Sequence, residues 1–221
     1  MVAGGSGRRF GGRKQFLPLA GMPVAAWSVR AARSVADGVV LVVPECGPDD
    51  DAGSLPVAGA TGADALGATC VVTGGATRAD SVRAGLAEVP AGAAVIVVHD
   101  AARPLARPDL FAAVVAAVRM DGVDGAIPVV PVTDTLKRVE DGRVAATVDR
   151  DGLWAVQTPQ AFTAVALRAA HSAGGDATDD AALLEAAGLA VAVVEGDPRN
   201  LKLTRPEDLA LAEALLAGVG T

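Results

Sequence analysis

The sequence contains no tyrosine, and aromatic residues of all kinds make up only 3% of it. That scarcity argues against the base-stacking platforms that single-stranded nucleic acids need. Cysteine is nearly as rare. Cys46 and Cys70 have neither a CxxC spacing nor metal-ligand neighbours, so no zinc site and no disulfide framework is expected. Long apolar stretches are missing too. Half of the residues are hydrophobic (51%), yet Gly, Pro or charged residues break each run well short of the roughly 20 that a membrane-spanning helix requires. No secretory leader is legible, because Met1-Val2-Ala3 runs straight into Gly4-Gly5. A soluble, cytoplasmic protein with no membrane partner is the expectation.

Positive charge is also in short supply, with a net charge of −7. This argues against a broad nucleic-acid-binding face, which needs clustered Lys and Arg. The basic residues are not spread evenly, however. Arg8, Arg9, Arg13 and Lys14 crowd one glycine-rich segment. A local concentration of cations on an acidic protein suits a small polyanion better than a polymer.

With 221 residues the chain is long enough for one α/β domain, read here as spanning 1–221. Apolar, β-branched runs at 38–43, 69–73, 94–98, 125–130 and 190–194 read as strands, and their unbroken apolarity fits strands buried on both faces. Helical patterns at 23–36, 78–87, 108–120 and 206–216 lie between or after them. The alternation predicts a Rossmann-like, mostly parallel sheet flanked by helices, whose ligands bind beyond the carboxyl ends of the strands. Residues from about 133 to 160 depart from it. There, LKRVE and RVAATV flank Asp141-Gly142, a hairpin signal. An arm projecting from the sheet would expose apolar positions, so dimerisation through it is expected.

Chemistry-bearing residues gather in a few segments. Ala3-Gly4-Gly5-Ser6-Gly7-Arg8-Arg9 and the following Phe10-Gly11-Gly12-Arg13-Lys14 form a glycine-rich basic loop, whose backbone N–H groups could approach phosphate oxygens closely. It is not a Walker loop, since no GK[ST] follows, nor the dinucleotide fingerprint, whose third glycine position is Phe10. His99-Asp100-Ala101-Ala102-Arg103-Pro104 closes one predicted strand. A carboxylate there is placed to hold a metal or a hydroxyl group, although an Asp after a strand is also a common turn cap. His171 sits near a predicted helix end and is given no role.

In this order, GGATRADSV, HDAARP, DTLKR, VDRDGLW, QTPQAF and NLKLTRPEDL form a series covering nearly the whole chain. It resembles the 2-C-methyl-D-erythritol 4-phosphate cytidylyltransferases of non-mevalonate isoprenoid synthesis. The resemblance implies transfer of CMP from CTP to methylerythritol phosphate with release of pyrophosphate, assisted by Mg²⁺. It assigns transition-state stabilisation to Arg9 and Lys14, and positioning of the substrate phosphate to Arg150 and Lys202. Ala3, Gly4, Gly5 and Gly7 would lie along the nucleotide, Gly75 and Ser81 near the cytosine, and Asp100 and Ala101 by the ribose, with Asp100 on the metal. Arg103 and Thr135 would reach the methylerythritol phosphate. In a homodimer the arm would carry some of these contacts to the neighbouring subunit.

Three features depart from the family pattern. Only Met1-Val2 precede Ala3, where relatives have a full apolar strand; Arg9 and Lys14 are closer together than usual, with Arg13 at a common proline position; and Ala76 replaces a frequent acidic residue. Two other readings stand beside the first: a cytidylyltransferase for another polyol phosphate such as ribitol 5-phosphate, and a nucleotide-binding scaffold without turnover. A guanylyltransferase shares the glycine loop but not the DTLKR, VDRDGLW and TRPEDL segments.

Overall fold

The computed structural model describes residues 1–3, 14–45, 66–175 and 177–218. Its elements alternate as the apolar runs predict. A single 3-10 turn (Lys14–Phe16) and a two-stranded ribbon, β1 (Pro18–Leu19) with β2 (Met22–Pro23), lead into α1 (Val24–Arg33). The chain continues through β3 (Val40–Val43), β4 (Cys70–Thr73), α2 (Arg78–Glu88), β5 (Val95–Val98), α3 (Pro108–Val118) and β6 (Gly125–Pro131). Then come β7 (Leu136–Glu140), β8 (Arg143–Val148), β9 (Trp154–Val156), β10 (Gln160–Thr163), α4 (Ala164–Ser172), α5 (Asp180–Ala186), β11 (Val191–Glu195) and α6 (Glu207–Ala217).

The main sheet runs β4-β3, then residues 1–3, then β5-β10-β6-β11. Val2 bridges Val42 and Asp100 in parallel, so the short N-terminal segment holds the two halves together. Its backbone is fully used: Val2 N–H donates to His99 O (2.7 Å), Ala3 N–H to Val42 O (2.8 Å), and Ala101 N–H to Val2 O (2.9 Å). Central strands need such pairing, because a buried unpaired amide is costly.

β3 and β4 are parallel, as are β6 and β11, but β10 runs antiparallel to both β5 and β6. The expectation of a mostly parallel sheet did not foresee this strand. Its physical reason is local. β6 leads out to the arm, and the returning chain pairs back on β6 as β9 and β10, which needs no crossover helix.

Helices cover both faces. α1 and α3 pack Ala25, Val29, Ala32 and Phe111 against Leu41, Val43 and Val71. On the other face, α2, α4 and α5 pack Val82, Leu86, Leu167 and Leu184 against Ile96, Val98, Ile127 and Phe162. α6 joins Leu203 and Ala212 to Leu19 and Val24. Among the described residues no helix is long and apolar enough to cross a membrane.

The arm is the hairpin β7–β8, and it ends before Trp154, where the chain re-enters the sheet. Asp141 (φ 49°) and Gly142 (φ 74°) both lie in the left-handed region, the geometry that the Asp-Gly signal calls for. Val139 and Val144 on the arm and Trp154 beside it are 58%, 64% and 54% exposed, apolar groups that the described residues leave largely uncovered.

Candidate active site

Several of the residues singled out in the sequence converge where the parallel strands end. Asp100 lies two residues beyond the end of β5, and the turn 74–77 follows β4. The segment 200–203 lies across this end of the sheet: Leu203 N–H donates to Ala102 O at 2.8 Å. Asn200 anchors it from below. Only 1% exposed, it donates through Nδ2 to Thr158 O (2.9 Å) and to Gln157 Oε1 (3.3 Å). Beyond the segment, Thr204 is tied to α6. The side chain of Asp208, in the first turn of α6, reaches back to accept from Thr204 N–H (2.6 Å), Thr204 Oγ1 (2.9 Å) and Arg205 N–H (2.8 Å). Both ends of the segment are therefore tied down, which fixes where Lys202 emerges.

Lys202 Nζ donates to Asp100 Oδ2 at 2.6 Å. Lys14 Nζ donates to the carbonyl of Leu203, the next residue along. The late segment thus holds both ammonium groups, Lys14 through the Leu203 carbonyl and Lys202 through its own side chain on Asp100. Arg78, in the first turn of α2, points Nε to within 3.6 Å of Asp100 Oδ1. Burial alone would raise the carboxyl pKa of Asp100, but Lys202 and Arg78 outweigh it and hold the group down at about 2. Asp100 is ionised at neutral pH.

Arg103 crosses the cluster. It donates through Nη1 to Asn200 O (2.7 Å) and through Nη2 to Val156 O (3.4 Å), while its buried Nε has no hydrogen-bond partner among the described residues. His99, beneath Asp100, is 1% exposed. Thr158 Oγ1 accepts from Asp100 N–H (3.1 Å), so its own proton is free for His99 Nδ1 (2.9 Å). The imidazole keeps its proton on Nε2, facing Arg103 O at 3.2 Å. Burial pushes its pKa down to about 3 despite the neighbouring Asp100. His99 is a neutral structural group.

The glycine turn is built for close approach. A Cβ on Gly75 would fall 2.3 Å from Cβ of Asp80, and Asp80 closes a capping box with Thr77 at the start of α2. Only glycine lets the backbone lie this tightly on the helix. Ser81 supports the turn from inside. It is 2% exposed, and its hydroxyl donates to Thr77 O at 3.0 Å. What the turn offers outward is the backbone of Gly75 and Ala76. Ala3 and Ala101 are likewise buried, with their N–H groups committed to the sheet and Ala3 O accepting from Gln15 Nε2 at 2.6 Å. They form the floor.

Not every expected residue meets this cluster. Gly4, Gly5, Gly7 and Arg9 lie outside the described residues. Thr135 and Arg150 line an open groove of about 400 Å³ at the base of the arm with Thr147, Val148 and Asp149. Arg150 Nη1 donates to Thr133 O. Among the described residues no hydrogen bond or ion pair joins either of them to Asp100, Arg103 or Lys202. Arg78 and Asp180 were not foreseen. Arg78 stands inside the GGATRADSV segment, but nothing in its spacing announces a partner on α5, where Asp180 Oδ2 accepts from Arg78 Nη2 at 2.8 Å. His171, given no role in the sequence, is buried against the same carboxylate, with Nε2 2.9 Å from Asp180 Oδ1.

A mixed α/β sheet with Lys and Arg gathered round one ionised carboxylate, beyond the carboxyl ends of parallel strands, defines a nucleotide-binding class of protein built to handle phosphate groups. The sequence model of 2-C-methyl-D-erythritol 4-phosphate cytidylyltransferase (IspD) matches residues 1–218, and the chain belongs to that family. It is 48% identical over 222 residues to the 2-C-methyl-D-erythritol 4-phosphate cytidylyltransferase of Cereibacter sphaeroides, across 98% of this chain and 95% of that protein. It is 45% identical to the bifunctional enzyme IspD/IspF of Nitratidesulfovibrio vulgaris. That match takes in 97% of this chain and 56% of the other, so the chain spans about half the length of that relative. The crystal structure of 2-C-methyl-D-erythritol 4-phosphate cytidylyltransferase from Thermus thermophilus is similar with a TM-score of 0.79 at 34% identity, covering 98% of this chain and 96% of that one.

Proposed function

We propose that the chain is a cytoplasmic cytidylyltransferase that transfers CMP from CTP to 2-C-methyl-D-erythritol 4-phosphate. The products are 4-diphosphocytidyl-2-C-methyl-D-erythritol and pyrophosphate. The observation that carries the reading is the approach of Lys14 and Lys202, from opposite ends of the chain, to the end of the sheet occupied by Asp100.

The chemistry asks for little else. A phosphate monoester dianion is already a nucleophile, so no general base is needed, and the buried neutral His99 does not act as one. The obstacle is the repulsion between that dianion and the triphosphate whose α-phosphorus it attacks in line. Lys14, Lys202 and Arg103 lower it with positive charge, and Arg9 and Arg150 join them in this reading. The Gly74-Gly75 turn receives the cytosine through backbone groups. Asp100 fits Mg²⁺, a cation that takes one or two carboxylates and fills its shell with water and substrate phosphates. Among the described residues no group of three His, Cys, Asp or Glu forms a dedicated cage. When bound, the ion would neutralise phosphate charge beside Asp100.

Pyrophosphate release in an assay with CTP and methylerythritol phosphate is the direct test. CTP is expected to outcompete ATP, because a site built to pair a base's polar groups rejects one that leaves them unpaired. Equal use of ATP would remove the cytidylyl assignment. CTP binding without pyrophosphate release would favour the scaffold.

Thr135 and Arg150 sit at the foot of an exposed arm, away from the cluster, which favours a homodimer in which each arm serves the neighbouring site. Sedimentation equilibrium at micromolar concentration should give twice the chain mass. A monomer would overturn the arrangement.

A further inference from the structure

Arg78 is divided between two carboxylates. Its Nη2 donates to Asp180 Oδ2 at 2.8 Å, whereas its Nε stays 3.6 Å from Asp100 Oδ1, outside hydrogen-bond reach. The other oxygen of Asp180 accepts from His171 Nε2 at 2.9 Å. Asp180 is 1% exposed and His171 4%, and no step of the proposed reaction uses either. A carboxylate so deeply buried costs desolvation energy that only close partners offset.

The arrangement has a consequence at Asp100. Arginine prefers to close a two-pronged pair on a carboxylate. Asp100 already takes Lys202 on Oδ2, so a guanidinium closing on Oδ1 would set a second full positive charge against the carboxylate and repel a further cation. Asp180 prevents that closure by taking Nη2. Arg78 is left near enough to orient Asp100 and too far to occupy Oδ1.

We propose that Asp180, backed by His171, is a positioning residue that keeps Asp100 open to the divalent cation of a bound nucleotide by holding Arg78 away from it. The inference rests on the reading of Asp100 as the carboxylate that faces the nucleotide's metal. It assigns a function to two buried residues on α4 and α5 that lie outside the cluster itself.

Asp180→Asn keeps the shape and one acceptor but removes the charge that competes for Arg78. Calorimetric titration of CTP at a series of Mg²⁺ concentrations reads the effect without turnover. The Mg²⁺ concentration for half-maximal CTP affinity should rise about tenfold, in line with the usual cost of losing a partner that orients a metal ligand. The Mg²⁺ requirement of the rate should rise with it, and kcat at saturating Mg²⁺ should fall by less. His171→Asn leaves the Asp180 charge in place and should give a smaller shift in the same direction. A lowered melting temperature with an unaltered Mg²⁺ requirement in Asp180→Asn would make the residue a prop of the fold alone and overturn the inference. If that variant does not fold, an unaltered requirement in His171→Asn overturns it. Wild-type protein that binds CTP equally with and without Mg²⁺ removes the reading of Asp100 beneath it, while leaving the pyrophosphate assay to judge the transferase assignment separately.

Discussion

Replacing Lys202 by alanine is expected to cut turnover by about 10²–10³-fold, the usual cost of removing one donor aimed at developing phosphate charge, while the fold survives. The two halves of this expectation have different origins. Among the described residues the Lys202 ammonium pairs with Asp100 Oδ2, and its side chain is 41% exposed. An ion pair this open contributes about 1 kcal/mol or less, and Arg78 remains beside Asp100 when Lys202 is gone. The melting temperature should therefore fall by no more than about 2–4 °C. The rate depends on something else: a cation held beyond the strand ends by Asn200 on one side and the Thr204–Asp208 contacts on the other. Lys14→Ala should have a kinetic effect of the same order, because its ammonium is tied to the adjoining carbonyl of Leu203. The measurement is steady-state pyrophosphate release, with circular dichroism and a melting curve on each purified variant. Near-native turnover in either would remove that lysine from the proposed chemistry.

Acid should destabilise the protein from about pH 6.5 downward, and His99 is the reason. Its pKa is pushed down to about 3 in the folded state, against an ordinary value of 6.5. Between those limits the unfolded chain binds a proton that the folded chain refuses. Stability therefore rises with pH across that window and falls as the pH is lowered through it, by up to about 1.4 kcal/mol per pH unit from this group alone. Moving from pH 6.5 to 5 should cost about 2 kcal/mol. Asp100 adds a second loss lower down. Its folded pKa of about 2 lies below the ordinary 3.8, so the stability it contributes is present above about pH 4 and disappears as the pH drops toward 2. Urea unfolding from pH 7 to pH 4, with chelator present so that no metal contributes, measures the first window. His99→Gln should lower stability at pH 7, since the hydrogen bonds to Thr158 and Arg103 are disturbed, and should flatten the slope by about one proton. An unaltered slope in that variant would show that His99 does not carry the acid sensitivity.

How far the fold could be read in advance differs from element to element. β3, β4, β5, β6 and β11 were legible because each is a short, uninterrupted apolar run, and a strand buried on both faces leaves that trace in the sequence. The arm's turn was legible for a local reason as well: Asp141-Gly142 encodes positive φ at both positions. β10 was not. Gln160-Ala161-Phe162-Thr163 is too short and too mixed to show a period, and its direction follows from the path of the chain out to the arm and back. α5, a short Ala-rich stretch, was missed alongside it, and of α4 only the end at His171 was foreseen.

The site divides along the same line. Asp100, Arg103 and Lys202 were recognisable as residue types in ordered segments, and the order of those segments carried the family resemblance. The connections between them were not recognisable. Arg78 finds Asp180 across 102 positions of sequence, Lys202 finds Asp100 across another 102, and Thr158 finds His99 across 59. None of these pairings has a local signal, since a single hydrogen bond between distant residues leaves no period or spacing.

By itself, then, the sequence determined the alternation of buried strands and helices, the turn of the arm and the inventory of cations suited to a phosphorylated ligand, because each of these is written within a few neighbouring residues. Tertiary structure alone decided that the Lys14 ammonium reaches the segment bearing Lys202, that Asp180 restrains Arg78, and that Thr135 and Arg150 stand apart on the arm. Those outcomes depend on which strand ends the folded sheet brings side by side, a long-range property that no local stretch of chain encodes.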